Sequence, residues 1–232
     1  MAAGQSNLTT SVEDYLKAVY ALSQDGTPAT TSSLARHLDV QPASVTGMVK
    51  RLAESGYLEH LPYRGVLLTD TGRDEALRII RRHRILETYL QLRLGFSWED
   101  VHSEADRLEH AASDALIEKM AEALGEPTHD PHGAPIPSRT GEIDAPAIAT
   151  LADAVAGSTV SISAVQDDDS ARLRRLKALG LTPGVRVSVL SREGSEGSLA
   201  LTIDADGGMR SDETISYDLA KRVYVSSPDP EG

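Results

Sequence analysis

Three residues, Asp39, Val40 and Gln41, separate two stretches that each read as a short helix. The first, Thr30 to Leu38, opens on hydroxyl residues that can cap it. The second, Pro42 to Glu54, begins with a proline suited to a first helical turn and has Gly56 just past its end. So short a connection between two helices is helix-turn-helix spacing. Behind it, Tyr57 to Leu61 and Val66 to Thr69 flank Pro62-Tyr63-Arg64-Gly65, the pattern of a β-hairpin, which in this position is a wing. In front of it, Ser11 to Gln24 carries Val12, Tyr15, Leu16, Val19, Tyr20 and Leu22 on one helical face.

Beyond the wing the pattern changes. From Thr71 to Leu94, apolar Leu77, Ile80, Ile85, Leu86, Tyr89 and Leu92 recur at helical intervals, predicting one long helix ended by Gly95. Two more helices are expected over Trp98 to His110 and Ser113 to Leu124, then an irregular Pro-rich segment from Glu126 to Arg139. Thr140 to about Ala156 suits a linker with one short helix. Thr159 to Val165, Arg186 to Ser191, Leu199 to Ile203 and Val223 to Ser226 are β-rich, with one helical piece at Ser170 to Leu179, as in a small barrel. The expected class is α+β: a winged helix-turn-helix over 1–72, a helical domain over 73–140, a linker over 141–157 and a small β-barrel over 158–232.

Composition narrows the chemistry. With no Cys among 232 residues, disulfides, iron–sulfur clusters, thiolate zinc sites and a Cys nucleophile are excluded, so any metal must sit on oxygen and imidazole. The net charge of -12 argues against a generally basic nucleic-acid coat, but it is segregated. Residues 1–98 carry 11 basic and 10 acidic side chains, whereas residues 99–130 carry 2 and 10. A near-neutral N-terminal part does not repel a polyanion; the acidic middle does unless it is neutralised. Five of the seven histidines, His83, His102, His110, His129 and His132, lie inside or beside that acidic stretch. Neither a membrane-spanning apolar run nor a secretory leader is legible, and a soluble, cytoplasmic protein is expected.

On a helix, residues three or four apart share a face. His83 and Glu87 are so placed on the long helix, and His102, Asp106, Glu109 and His110 on the next. Mixed oxygen and imidazole donors suit manganese(II), iron(II) or zinc, with the carboxylate excess leaning towards the harder ions. Plainer readings compete. His83 sits in Arg81-Arg82-His83-Arg84, which can be a solvated basic face, Glu87 can pair with Arg84 or Arg93, and Asp106 to His110 can be an exposed acidic helix. Asp14, three residues after Ser11, can close a capping box. His37 and His60 read as surface or packing residues. For DNA, Gln41, Ser44, Thr46, Lys50 and Arg51 form the polar side of the second helix, over a core stripe of Val45, Met48, Val49 and Leu52, and Arg64 tips the wing. Amide and hydroxyl groups read base edges; Lys and Arg fix phosphates.

Ser11-Val12-Glu13-Asp14-Tyr15-Leu16, Ser44-Val45-Thr46, Leu68-Thr69-Asp70-Thr71-Gly72, His83-Arg84-Ile85-Leu86-Glu87 and the run His102 to His110 together resemble the diphtheria toxin repressor family, of the manganese-responsive type. The ordered set covers about residues 11–140; Asp130 to Pro137 resembles the loop after that family's dimerisation helices, and Leu176 to Gly184 its C-terminal SH3-like, FeoA-like domain. The resemblance implies a homodimeric metal-dependent regulator of double-stranded operator DNA, most simply a repressor of metal-uptake genes, with no catalytic activity, no small-molecule substrate and no membrane partner. It implies a primary metal site on Asp14, Asp106, Glu109 and His110, and an ancillary site on His83, Glu87 and His102 completed from the C-terminal domain, where Asp167 is the expected ligand. Asp130 and His132 are further candidate ligands. Iron-responsive members carry Met and Cys where this chain has Asp14 and Asp106, and the exchange of soft sulfur for hard oxygen favours manganese(II), with iron(II) second and zinc an in vitro alternative. Two departures stand out: Lys17 occupies a place where a short manganese regulator has a ligating Glu, and Asp130 a place where streptococcal members have Cys. Two other classes compete: a metal-dependent hydrolase, for which the sequence offers neither nucleophile motif nor phosphate-cradling loop, and a winged-helix adaptor with a structural metal.

Overall fold

A computed structural model describes residues 8–24, 26–144, 149–166, 169–194, 196–205 and 209–227. The chain divides into two compact units, Met1–Arg82 with Pro137–Glu142, and His83–Ile136 with Ile143–Gly232.

In the first unit, α1 (Thr10–Leu22), α2 (Thr31–His37) and α3 (Pro42–Glu54) are followed by an antiparallel hairpin of β1 (Leu58–Leu61) and β2 (Gly65–Leu68). The Thr30 hydroxyl caps α2 by accepting from the Ser33 N–H at 3.0 Å. Asp39, at φ 51°, makes the turn between α2 and α3, where the short polar side chain of Asp tolerates the left-handed conformation. Leu16, Val19, Leu34, Val45, Val49, Leu52, Leu58 and Val66 are buried, so each helix turns one apolar stripe inward and leaves its polar side to solvent. Met48, expected in the stripe, is only half-buried and accepts a contact from Arg51 through its sulfur. The long helix α4 (Asp70–Leu94) begins in this unit. There Arg82 meets Glu13 of α1 at 3.3 Å with both side chains 7% exposed, and Arg81 donates to the Pro137 carbonyl at 3.0 Å.

In the second unit, the rest of α4 packs with α5 (Val101–Glu109) and α6 (Asp114–Leu124) around Ile85, Leu86, Leu90, Val101, Ala105, Ile117 and Ala121. Ser113 caps α6 and Gly125 ends it in the left-handed region. A 3-10 turn, Leu151–Asp153, leads into β3 (Thr159–Val165), α7 (Ser170–Ala178), β4 (Arg186–Arg192), β5 (Leu199–Ala205), β6 (Met209–Ile215), α8 (Tyr217–Ala220) and β7 (Val223–Ser226). The sheet runs β6-β5-β4-β3-β7, all antiparallel, over a core of Leu173, Leu176, Leu181, Val187, Leu201, Ile203 and Val223. Winged helices, a helical layer and a small β-domain make the class α+β, as expected.

Two expectations need correction. α5 starts at Val101 rather than Trp98, because Ser97 to Asp100 forms a turn closed by the Ser97 hydroxyl on Asp100 and sends Trp98 into the β-domain core. The strand β6 and the helix α8 were not foreseen. β6 is a sheet edge with Arg210, Ser211, Asp212 and Thr214 exposed, so it lacks the apolar alternation that marks a half-buried strand. No helix among the described residues is long and apolar enough to cross a membrane.

Candidate metal centre

Helical spacing on α4 and α5 builds the core of the site. His83 and Glu87 lie one turn apart on α4, and both are buried, Glu87 completely. His83 Nε2 is 3.0 Å from Glu87 Oε1 and 3.1 Å from His102 Nδ1, while His83 Nδ1 is 2.7 Å from Glu109 Oε2 and 3.3 Å from Asp106 Oδ1. His102 Nδ1 is also 3.0 Å from Glu87 Oε1, and its Nε2 is 3.5 Å from Asp106 Oδ2. His110 Nε2 lies 3.5 Å from Glu109 Oε1. One donor atom each from His83, His102 and Asp106 falls within 4.8 Å of the others. Glu87, Asp130 and His132, all buried, satisfy the same condition. Glu87 belongs to both neighbourhoods, with Oε1 3.9 Å from His132 Nδ1.

Burial by itself would raise the Glu87 carboxyl, but the charge of His83, hydrogen bonds from His102 and His83, and the charge of His132 outweigh it and hold the group well below the usual carboxylate range. Its second oxygen, Oε2, accepts no hydrogen bond among the described residues. A buried carboxylate oxygen without a donor, beside imidazole and further carboxylates, fits a divalent cation.

The plainer readings of these residues do not survive. His83 is not on a solvated basic face: Arg81, Arg82 and His83 are all at most 7% exposed. Glu87 faces imidazoles rather than Arg84 or Arg93, and Glu109 is fully buried, so α5 is not a uniformly exposed acidic helix. α1 begins at Thr10, which puts Ser11 inside the helix and removes the capping box that would have occupied Asp14. Asp14 itself is half-buried on α1, in the first unit. Asp130 accepts from the His132 and Ala134 N–H groups at 2.8 and 3.0 Å, and its other oxygen is 3.4 Å from Arg84 Nε. Asp167 lies outside the described residues. Sequence reasoning missed Arg84 and Trp98 as neighbours of the donors; the signal available for Trp98 was that it is the chain's single tryptophan.

On α3, Gln41, Ser44, Thr46, Lys50 and Arg51 are exposed, with Arg64 exposed at the tip of the hairpin. Lys50 lies 3.9 Å from Glu54, a loose surface pair, and Thr46 bonds back to the Pro42 carbonyl. Tyr63, beside Arg64, is fully exposed at φ 64°.

Three family models match in sequence: the iron-dependent repressor N-terminal DNA-binding domain over residues 7–66, the iron-dependent repressor metal-binding and dimerisation domain over 69–138, and the FeoA domain over 149–227. The iron-dependent repressor IdeR of Mycobacterium tuberculosis is 30% identical across 95% of this chain and 98% of its own length. The regulator MntR of Geobacillus kaustophilus is 37% identical over 50% of this chain and 82% of its own. Among solved structures, a manganese-dependent transcriptional repressor in complex with manganese superposes with a TM-score of 0.85 at 33% identity, covering 94% of this chain and all of that one. The manganese regulator SloR gives 0.78 at 28% over 95% of this chain. These relatives are transcriptional regulators, which sets the hydrolase alternative aside.

Proposed function

The chain belongs to the iron-dependent repressor family of metal-dependent transcriptional repressors, and from that premise we propose that manganese(II) is its cognate ion, with iron(II) second. The observation that carries this reading is the donor set: imidazoles and carboxylates grouped together, in a chain with no cysteine to supply a thiolate. Hard oxygen donors disfavour the softer ions relative to a site containing sulfur.

In this reading His83, Glu87 and His102 hold one ion, with Asp130 and His132 as additional donors around Glu87 and Asp167 as the expected C-terminal contribution. The family's primary site, carried over residue by residue, takes Asp14, Asp106, Glu109 and His110. A bound divalent ion supplies positive charge to a segment that carries a surplus of eight carboxylates between residues 99 and 130. Gln41, Ser44 and Thr46 meet base edges, while Lys50, Arg51 and Arg64 meet phosphates or the minor groove. The protein acts as a homodimer, its two recognition helices spaced for half-sites about one helical turn apart, and works in the cytoplasm on genes of metal uptake. The division 1–72, 73–140, 141–157 and 158–232 belongs to the same proposal. The exposed Leu92, Leu94, Phe96, Leu108 and Leu116 offer the apolar surface that a dimer interface requires.

Operator binding by the apo protein, titrated separately with manganese(II), iron(II) and zinc(II), tests the proposal. Tightest operator binding at the lowest free manganese is expected; equal affinity with and without metal overturns the sensor, and a response to iron at lower free concentration overturns the choice of ion.

A further inference from the structure

Trp98 comes from the turn between α4 and α5, yet the residue is 8% exposed within the core that holds Leu151, Ile162, Leu173, Leu176 and Val223 of the β-domain. From that seat it reaches two consecutive residues of the loop carrying Asp130 and His132. Its Nε1–H donates to the Pro131 carbonyl at 2.8 Å, and its carbonyl accepts from His132 Nε2 at 2.9 Å, the two rings lying 5.1 Å apart. A carbonyl oxygen can only accept, so Nε2 carries a proton, and in the neutral form of the ring, the form that binds metal, the lone pair lies on Nδ1. Nδ1 lies 3.9 Å from Glu87 Oε1.

The same loop is clamped to the sheet from its other side. The His132 carbonyl accepts from the Val165 N–H of β3 at 2.9 Å. Gly133, at φ +87°, lies so close that a Cβ would stand 2.1 Å from the Ser163 carbonyl oxygen. Ser163 lies where the β3–β7 register shifts between Ile162 and Ala164. Beside Trp98, Glu99 and Asp100 meet α7 through Lys177 at 2.8 Å and Arg174 at 3.8 Å.

We infer that Trp98 is a positioning residue: by seating in the β-domain core it fixes the tautomer and place of His132, so that docking of the β-domain and ion binding at Glu87, Asp130 and His132 are one coupled equilibrium. The inference rests on the proposal that Asp130 and His132 are donors to an ion held around Glu87. By linkage, an ion there favours the docked domain and the docked domain favours the ion.

The test uses the full chain and cobalt(II) followed by its ligand-field absorption, with manganese(II) quenching of the single tryptophan as a second readout. His132→Ala is expected to remove one class of ion, and Trp98→Ala to weaken that class about tenfold, as loss of a group that orients a ligand does. Trp98→Phe, which keeps an apolar plug, is expected to restore most of the affinity. Trp98→Ala titrating like the parent chain overturns the inference while leaving the ion site standing; His132→Ala retaining every ion overturns the site itself. Should Trp98→Ala not fold, the parent chain decides: Trp98 emission that responds to manganese(II) together with the His132-dependent ion supports the coupling, and emission indifferent to that ion overturns it.

Discussion

Glu13 and Glu87 are both buried helical carboxylates, 5% and 0% exposed, and they serve opposite ends because of what faces them. Glu13 meets the guanidinium of Arg82, a group that keeps its proton under all physiological conditions. Glu87 meets His83 and His102, with His132 beyond, imidazoles that coordinate metals in their neutral form. A buried carboxylate facing arginine is a fixed structural pair; one facing imidazoles is a place that a divalent ion can enter.

The sharpest way to break that contrast is to remove Glu13. Glu13→Ala strands the Arg82 charge in a buried setting and is expected to cost about 3–5 kcal/mol, read by urea unfolding of the apo protein. A loss below about 1 kcal/mol would place the pair among solvated surface contacts. Glu87→Gln, conversely, is expected to weaken ion binding on the order of 100-fold, as removal of a ligand exceeds the effect of losing an outer partner. Calorimetric titration with manganese(II) measures it, and an unchanged isotherm would strip Glu87 of its role. Acid tells the two variants apart further. The folded protein holds Glu87 ionised below its ordinary value of 4.5, so its contribution is complete above that value and is lost as pH falls through the lowered one. The apo stability of Glu87→Gln is therefore expected to fall less steeply with acid than that of the parent chain.

Smaller effects sharpen the picture at two glycines. Gly133→Ala adds a Cβ at a positive φ and against the Ser163 carbonyl, with an expected cost of about 1–3 kcal/mol in thermal or urea unfolding. Loss confined to the β-domain, with the first unit unaffected in hydrogen exchange, is the expected pattern. Gly47 is the reverse case. It lies exposed within α3, where a Cβ would meet nothing within 4 Å. Gly47→Ala is expected to stabilise by about 0.5–1 kcal/mol while weakening operator binding, since only an approaching DNA would need that space. Stabilisation with unchanged operator affinity would turn that face of α3 away from DNA.

Much of this was legible in the chain. The bounds of α3, β3 and β7 follow from Pro42, from the alternation of apolar and hydroxyl residues over Val160 to Ser163 and from Val223 to Ser226. The i, i+4 spacing put His83 with Glu87, and His102 with Asp106, on common helix faces. Edge strand β6 was not legible, because a strand paired on one side with polar faces carries no apolar rhythm. Neither was the turn at Ser97 to Asp100, where a local hydroxyl–carboxylate bond takes three residues out of an otherwise helical pattern.

The sequence by itself determined the α+β organisation, the absence of thiolate chemistry and which side chains are candidate donors, because helical and strand periods and residue types are local properties. Only the tertiary structure decided that Glu87 is shared between His83 and His102 on one side and His132 on the other, and that Trp98 belongs to the core of a domain whose first strand begins some 60 residues later. Those facts depend on loops that return from a distance, and the energy of such contacts resides in burial and hydrogen bonding, which no spacing along the chain encodes.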